Sequence, residues 1–162
     1  MQLTIDDYWM GRDSKYRHEL TEQIQVNAAE TVRRLNLLRL AYEEDTSLPA
    51  PVALNGDVLA SGWRPPAVND VTSNAGKLST HLTGEGGDMP DPQRTFARWC
   101  CDHPGILVKI GLWIEHPGWT WSPRGNHWLH AQTKPPRSGK RVYIPSEAPA
   151  RDPSFKVNLE AV

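Results

Sequence analysis

The sequence predicts an α+β fold, a small antiparallel sheet with flanking helices. Three observations predict it. A long helical repeat stands near the start, short apolar segments separated by turn residues follow, and 14 Pro and 7 Trp imply many fixed turns and large aromatic contacts rather than a mostly helical fold. The length of 162 residues suits one core better than two. We expect a single domain over residues 1–145, with an N-terminal helix, and a loose polar tail over 146–162.

The elements follow in order. From Ser14 to about Glu44, Leu20, Ile24, Ala28, Val32, Leu35, Leu38 and Ala41 recur every three or four positions, with Glu22, Glu30, Arg33 and Arg34 between them. That is the pattern of one amphipathic helix lying on a sheet or another helix, with Ser14 or Thr21 as its cap. After the breaker Asp45–Pro49, the run Val58-Leu59-Ala60-Ser61-Gly62-Trp63-Arg64 reads as a short buried strand stopped by Pro65-Pro66. A polar loop spans Val68–Leu82. Gly84, Gly86 and Gly87 then bring flexible backbone to Asp88. A helix restarts from Pro92 to about Asp102, with Phe96, Ala97 and Cys100 on one side. The run Ile106–Trp113 is helix end or strand, which periodicity alone does not decide. Trp128–Gln132 and Arg141–Ile144 read as the last strands, with a turn at Pro135–Gly139 between them.

Charge and composition exclude several functions. With 18 basic and 19 acidic side chains the net charge is −1, so neither nucleic acid nor an anionic membrane is an expected partner. No apolar run reaches the roughly 18 residues of a membrane span. The first thirteen residues carry Asp6, Asp7 and Asp13 and lack the order of a signal peptide, so we expect a cytoplasmic protein. Cys100 and Cys101 are adjacent and unsuited to an ordinary structural disulfide. They read as packing residues.

Chemistry is suggested by context. His81 and Asp88 stand seven residues apart across three glycines, which would let the chain fold back so that both groups approach one point. His130, in an aromatic and apolar strand, could be aimed at the same point. Two His and one Asp, with a fourth position open to water, form the ligand set of a catalytic zinc site. The same residues also occur in ordinary turns, where Asp88 would cap the helix after Pro92.

Three blocks carry a resemblance. Ser79-x-His81-x-x-Gly84-x-Gly86-x-Asp88 resembles the Ser-x-His-x-x-Gly-x-Ala-x-Asp signature of the D-Ala-D-Ala carboxypeptidase family of zinc peptidases, which includes vancomycin-resistance dipeptidases and many phage endolysins. Gly86 replaces the usual Ala. Ser61-Gly62-Trp63-Arg64 with Asn69 is similar to the family's upstream Ser-Gly-Tyr-Arg block, and Trp128-Leu129-His130 to its downstream aromatic-x-His block. The resemblance implies a Hedgehog/D,D-peptidase-like fold, zinc held by His81, Asp88 and His130, and Arg64 in contact with substrate. It also implies that Ser79 and Asn69 bind substrate, with Ser79 alternatively orienting His81. In terms of residue chemistry, Arg64 offers a permanently charged fork for a carboxylate or a developing oxyanion, or else a salt bridge supporting its loop.

The general base departs from the family pattern. Relatives place Glu or Asp three residues before the last ligand, and here that position is His127. Imidazole titrates near neutrality, but residues i and i+3 on a regular strand face opposite sides, so His127 reaches the metal only from a bulge or from the preceding loop, a break that Gly125-Asn126 could supply. Glu115 is the rival base, and a site lacking a base is the third reading. Trp113, Trp119, Trp121 and Trp128 are core or groove walls.

The function expected from these readings is a zinc metallopeptidase acting on peptidoglycan stem peptides or cross-links next to a D-amino acid, phage or prophage encoded. It would act on the wall after release or be virion-associated, with virion proteins as partners. The alternative is a phage structural or assembly protein that keeps a degenerate peptidase fold for binding.

Overall fold

The computed structural model describes residues 1–72, 75–145 and 151–152. In chain order the elements are α1 (Ile5–Trp9), α2 (Arg12–Lys15), a 3-10 turn (Arg17–Glu19), α3 (Glu22–Thr46), α4 (Pro66–Asn69), β1 (Gly86–Pro90), α5 (Thr95–Asp102), α6 (Pro104–Ile110), β2 (Trp113–Glu115), β3 (Trp128–Gln132) and β4 (Val142–Tyr143). The architecture is mixed, with helices flanking a small sheet, in agreement with the α+β expectation. None of the described helices is long and apolar enough to cross a membrane.

Helix α3 starts at Glu22, not at Ser14. The backbone leaves the helical region at Tyr16 and again at Leu20, and the Thr21 hydroxyl then accepts from the Ile24 amide, so the later of the two expected caps is used. Ala28, Val32, Leu35, Leu38 and Tyr42 form its buried stripe. The helix expected from Pro92 begins three residues late because Asp91 caps it, its carboxylate accepting from the Phe96 and Ala97 amides. Ile106–Trp113 is both of its expected alternatives in turn: α6 ends at Gly111, whose φ of +80° reverses the chain into β2.

The sheet has strand order β1-β3-β2-β4, antiparallel except at one edge. β4 lies parallel to β2, correcting the expectation of a purely antiparallel sheet. The reason is that β1 and β2 already occupy both edges of β3. β4 reverses direction relative to β3 as a hairpin would, but is displaced one place outward onto β2.

The strand expected at Val58–Arg64 is absent. The segment makes one isolated bridge, Ser61 to Asp88, and then turns to α1, where the Trp63 amide donates to the Tyr8 carbonyl. The crossing is so close that a Cβ at Gly62 would lie 2.0 Å from that oxygen. Val58, Leu59 and Trp63 are nonetheless buried, in one core that also holds Tyr8, Trp9, the α3 stripe, Phe96, Leu107, Ile114, Leu129 and Ala131. The tail expected at 146–162 falls outside the described residues except for Arg151 and Asp152. Asp152 is buried, donates its amide to the Gly118 carbonyl and pairs with Arg94.

Candidate metal centre

Register places two of the three expected ligands. Asp88 and His130 are directly opposed in the β1–β3 ladder, so their side chains leave the same face. The Asp88 Oδ1 to His130 Nδ1 distance is 2.7 Å. Asp88 therefore does not cap the following helix, a task that Asp91 performs. His81 arrives from the turn before β1, its Nε2 3.3 Å from both Asp88 Oδ2 and His130 Nδ1. One ligand atom from each residue lies within 4.8 Å of the others, so the group could hold a metal ion.

The glycines do different work from the expected hinge. Only Gly84 takes the left-handed conformation, at φ +75°. It is pinned by α3, where Thr31 Oγ1 donates to the Gly84 carbonyl at 2.8 Å and Asn27 Nδ2 to the Thr83 carbonyl at 2.9 Å. Gly86 and Gly87 lie within β1 and are small because their surroundings are full. A Cβ at Gly86 would meet Thr80 Oγ1 at 2.3 Å and His130 Cε1 at 3.2 Å, and one at Gly87 would meet Leu35 Cδ1 at 3.0 Å.

Both imidazoles turn a ring nitrogen toward Asp88. His81 Nδ1 lies 2.6 Å from the Gly62 carbonyl, which can only accept, so the proton is on Nδ1 and Nε2 faces the cluster. In the metal-free protein Asp88 and His130 behave as an ion pair. Burial opposes the Asp88 charge, but the adjoining imidazoles overcome it and lower its pKa. Burial likewise opposes charge on His130, and the Glu115 and Asp88 carboxylates reverse the balance, lifting it to about 9. Burial lowers the pKa of His81, which stays neutral.

Asp88 and His130 line a cleft of about 1070 Å³, with His81 fully buried behind them, and the walls also include Arg64, Ser79, Glu115, Trp119, Trp121 and Trp128. Arg64 is buried, donates from Nη2 to Ser79 Oγ at 3.4 Å, and leaves its Nε without a partner among the described residues. Its contact is thus a hydroxyl rather than the carboxylate of a loop-supporting salt bridge. Ser79 Oγ also accepts from the His81 amide at 3.3 Å, so it steadies both Arg64 and the ligand turn. Asn69 is buried in α4, donates to the Gly76 carbonyl at 3.2 Å, and is not among the residues lining the cleft.

The two rival bases separate clearly. β3 is regular from Trp128, so no bulge turns His127 inward. His127 follows the parity of Leu129 and Ala131 toward the opposite face, where its ring lies 3.0 Å from Arg94. Its pKa is lowered by burial and by that guanidinium. Glu115 shares the cleft with Asp88 and His130. The β2–β3 register pairs Trp113 with Gln132 and Ile114 with Ala131, and its next step sets Glu115 beside His130. Asp88, His130, Glu115 and Tyr143 thus form a row across β1, β3, β2 and β4. Burial raises the Glu115 pKa, although His130 opposes it. Of the four tryptophans expected as core or wall, Trp119, Trp121 and Trp128 line the cleft, while Trp113 instead packs under the Arg141 guanidinium at 3.9 Å. Cys100 is buried in α5, and neither it nor Cys101 joins the cluster.

No family model, curated protein or solved structure matches the chain. Its chemistry is therefore read from the cleft itself.

Proposed function

We propose that the chain is a zinc-dependent metallopeptidase that hydrolyses peptidoglycan stem peptides or cross-links next to a D-amino acid, encoded by a phage or prophage. The observation that carries the reading is a two-histidine, one-aspartate donor set in a cleft that also holds a buried carboxyl group and a guanidinium with an unpartnered nitrogen. The donor set suits zinc, with imidazole nitrogens and a carboxylate oxygen converging from rigid strands. The three sequence blocks that resemble D-Ala-D-Ala carboxypeptidases supply the substrate class.

Zinc, when bound, acidifies water and polarises a carbonyl. The remaining work belongs to side chains. Hydrolysis places the oxygen of water on the carbonyl carbon, breaks the C–N bond and moves one proton to the departing amine. Glu115 takes that proton and hands it on, and burial sets its pKa above that of an ordinary carboxylate, closer to the value such a shuttle needs. Arg64 Nε and Nη2 receive the negative charge of a substrate carboxylate or of the developing oxyanion. Trp119, Trp121 and Trp128 give the peptide an apolar wall.

The test is mass spectrometry of muropeptides digested by wild type and by His81→Ala, with the zinc content of both. We expect about one zinc per wild-type chain, product masses that name the cleaved bond, and neither from the variant. Zinc-loaded wild type that releases no product from peptidoglycan would end this reading. The binding-protein alternative has its main support in the missing carboxylate at position 127, and a carboxyl group at Glu115 in the same cleft favours the enzyme over it. The enzyme would act on the wall after release from the cytoplasm or from the virion.

A further inference from the structure

We infer that Gln132 is a positioning residue for the metal centre: it accepts the Nε2 proton of His130 and so keeps Nδ1 as the ring nitrogen turned toward Asp88 and His81. The inference rests on the metal reading above and adds to it a residue outside the ligand set.

The argument is a chain of hydrogen bonds whose directions are forced one after another. The Lys134 carbonyl can only accept, and Gln132 Nε2 lies 2.5 Å from it, so the amide group faces that carbonyl with its NH₂ end. Its Oε1 must then face the other way. There it receives the Tyr143 hydroxyl at 2.6 Å and, more weakly, Thr80 Oγ1 at 3.4 Å. His130 Nε2 is 3.3 Å from the same oxygen. An amide oxygen cannot donate, so His130 Nε2 must carry hydrogen, and Nδ1, which in the metal-free protein donates to Asp88 Oδ1 at 2.7 Å, is the ring nitrogen left to face a cation once that second proton has gone. Gln132 is buried and leaves the same sheet face as His130, two residues along β3. Its partners come from three separate places, β4, the turn before β1 and the loop after β3, so the amide cannot flip without breaking contacts on both ends. Outer hydrogen-bond partners of this type orient a ligating imidazole and raise its basicity.

The experiment uses the full chain loaded with Co²⁺ or Zn²⁺ alone. Zn²⁺ affinity is measured by competition with a chromophoric chelator, and proton NMR of the Co²⁺ form follows the two shifted, exchangeable imidazole N–H signals, one from each ligand histidine. Gln132→Leu should lower Zn²⁺ affinity by roughly 10- to 100-fold and speed exchange of one N–H signal, leaving that of His81 as it was. Gln132→Glu, which keeps an acceptor for Nε2–H, should restore both the affinity and the slow exchange. Melting of the metal-free variants monitors the fold, and a purely structural role would lower that melting point without altering the N–H signals. Equal affinity and equal N–H lifetimes in wild type and Gln132→Leu would overturn the inference, as would a Glu variant that fails as badly as Leu while the metal-free protein remains folded. Wild type that takes up neither ion would instead bring down the metal reading beneath it.

Discussion

Replacing Gly86 by alanine adds one methyl group to a strand in which the left-handed conformation plays no part, so its cost is steric alone. The new Cβ would sit 2.3 Å from Thr80 Oγ1, 3.1 Å from Thr80 Cβ and 3.2 Å from His130 Cε1. Thr80 is β-branched and its hydroxyl is engaged with Gln132, so it cannot simply rotate away. Overpacking of this type costs about 1–3 kcal/mol. For a chain of this size that is a fall of roughly 2–12 °C in Tm. Because one of the three clashes is with a ligand ring, zinc affinity should fall as well. The assay is thermal unfolding in chelator together with a zinc competition titration, on Gly86→Ala, Thr80→Ala and the double variant. Thr80→Ala removes the 2.3 Å contact and leaves the other two, so the double variant should recover about 0.5–3 kcal/mol relative to the sum of the single changes. A Gly86→Ala protein with unchanged Tm and zinc affinity, or a pair of changes that simply add, would show that the crowding argument is wrong. The same contacts give a physical reason why this chain carries glycine where the signature it resembles has alanine.

Two further outcomes follow from the charges in the cleft. His130 sits at about 9 before metal arrives, so binding should release one proton per ion, and affinity should rise about tenfold per pH unit below that value. Calorimetry in buffers of different ionisation enthalpy counts the proton, and a pH-independent affinity would contradict the assignment. In chelator the sign reverses. The raised His130 pKa contributes stability in full below about 6.5 and loses it as pH climbs through about 9, while the lowered Asp88 pKa contributes above about 3.8 and loses it in acid. The metal-free melting point should therefore decline from pH 6.5 to 9 while the metal-loaded one does not. Glu115→Gln should keep zinc and lose about 10²- to 10⁴-fold in kcat, whereas His127→Ala should leave kcat close to wild type. Steady-state rates on a synthetic stem peptide decide this, and the opposite ranking would return the proton transfer to His127.

The parts of the fold legible in the sequence are those that depend on local period. The α3 stripe through Ala28, Val32, Leu35 and Leu38 and the strand at Trp128–Gln132 are both legible in the sequence. Ser61–Arg64 looked like a strand because its side chains are buried, but burial there comes from crossing α1, which apolar content alone does not reveal. The convergence of His81, Asp88 and His130 was legible less through residue type and spacing, which ordinary turns also produce, than through the three blocks that resemble a zinc peptidase family. The mechanism first given for their approach was not, since two of the three glycines serve close packing rather than flexibility. Glu115, and not His127, shares the cleft with Asp88 and His130 for a reason no linear pattern contains. It needs the neighbour order β1-β3-β2, which sets residues 88, 130 and 115 on one face, while the parity of position 127 already pointed away from it. Gln132 was missed because an amide two residues from a histidine carries no distinctive signature until Tyr143 is known to lie across the sheet from it.

Spreading the working groups over neighbouring strands means that cutting and gripping have separate genetic addresses. If the proposed chemistry is right, one substitution at codon 115 would silence turnover while codons 81, 88 and 130 still encode a cage for the ion. On that proposal, a lineage that no longer needed to dissolve a wall could keep a folded groove and reuse it as an adhesive patch, without first passing through an unstable ancestor.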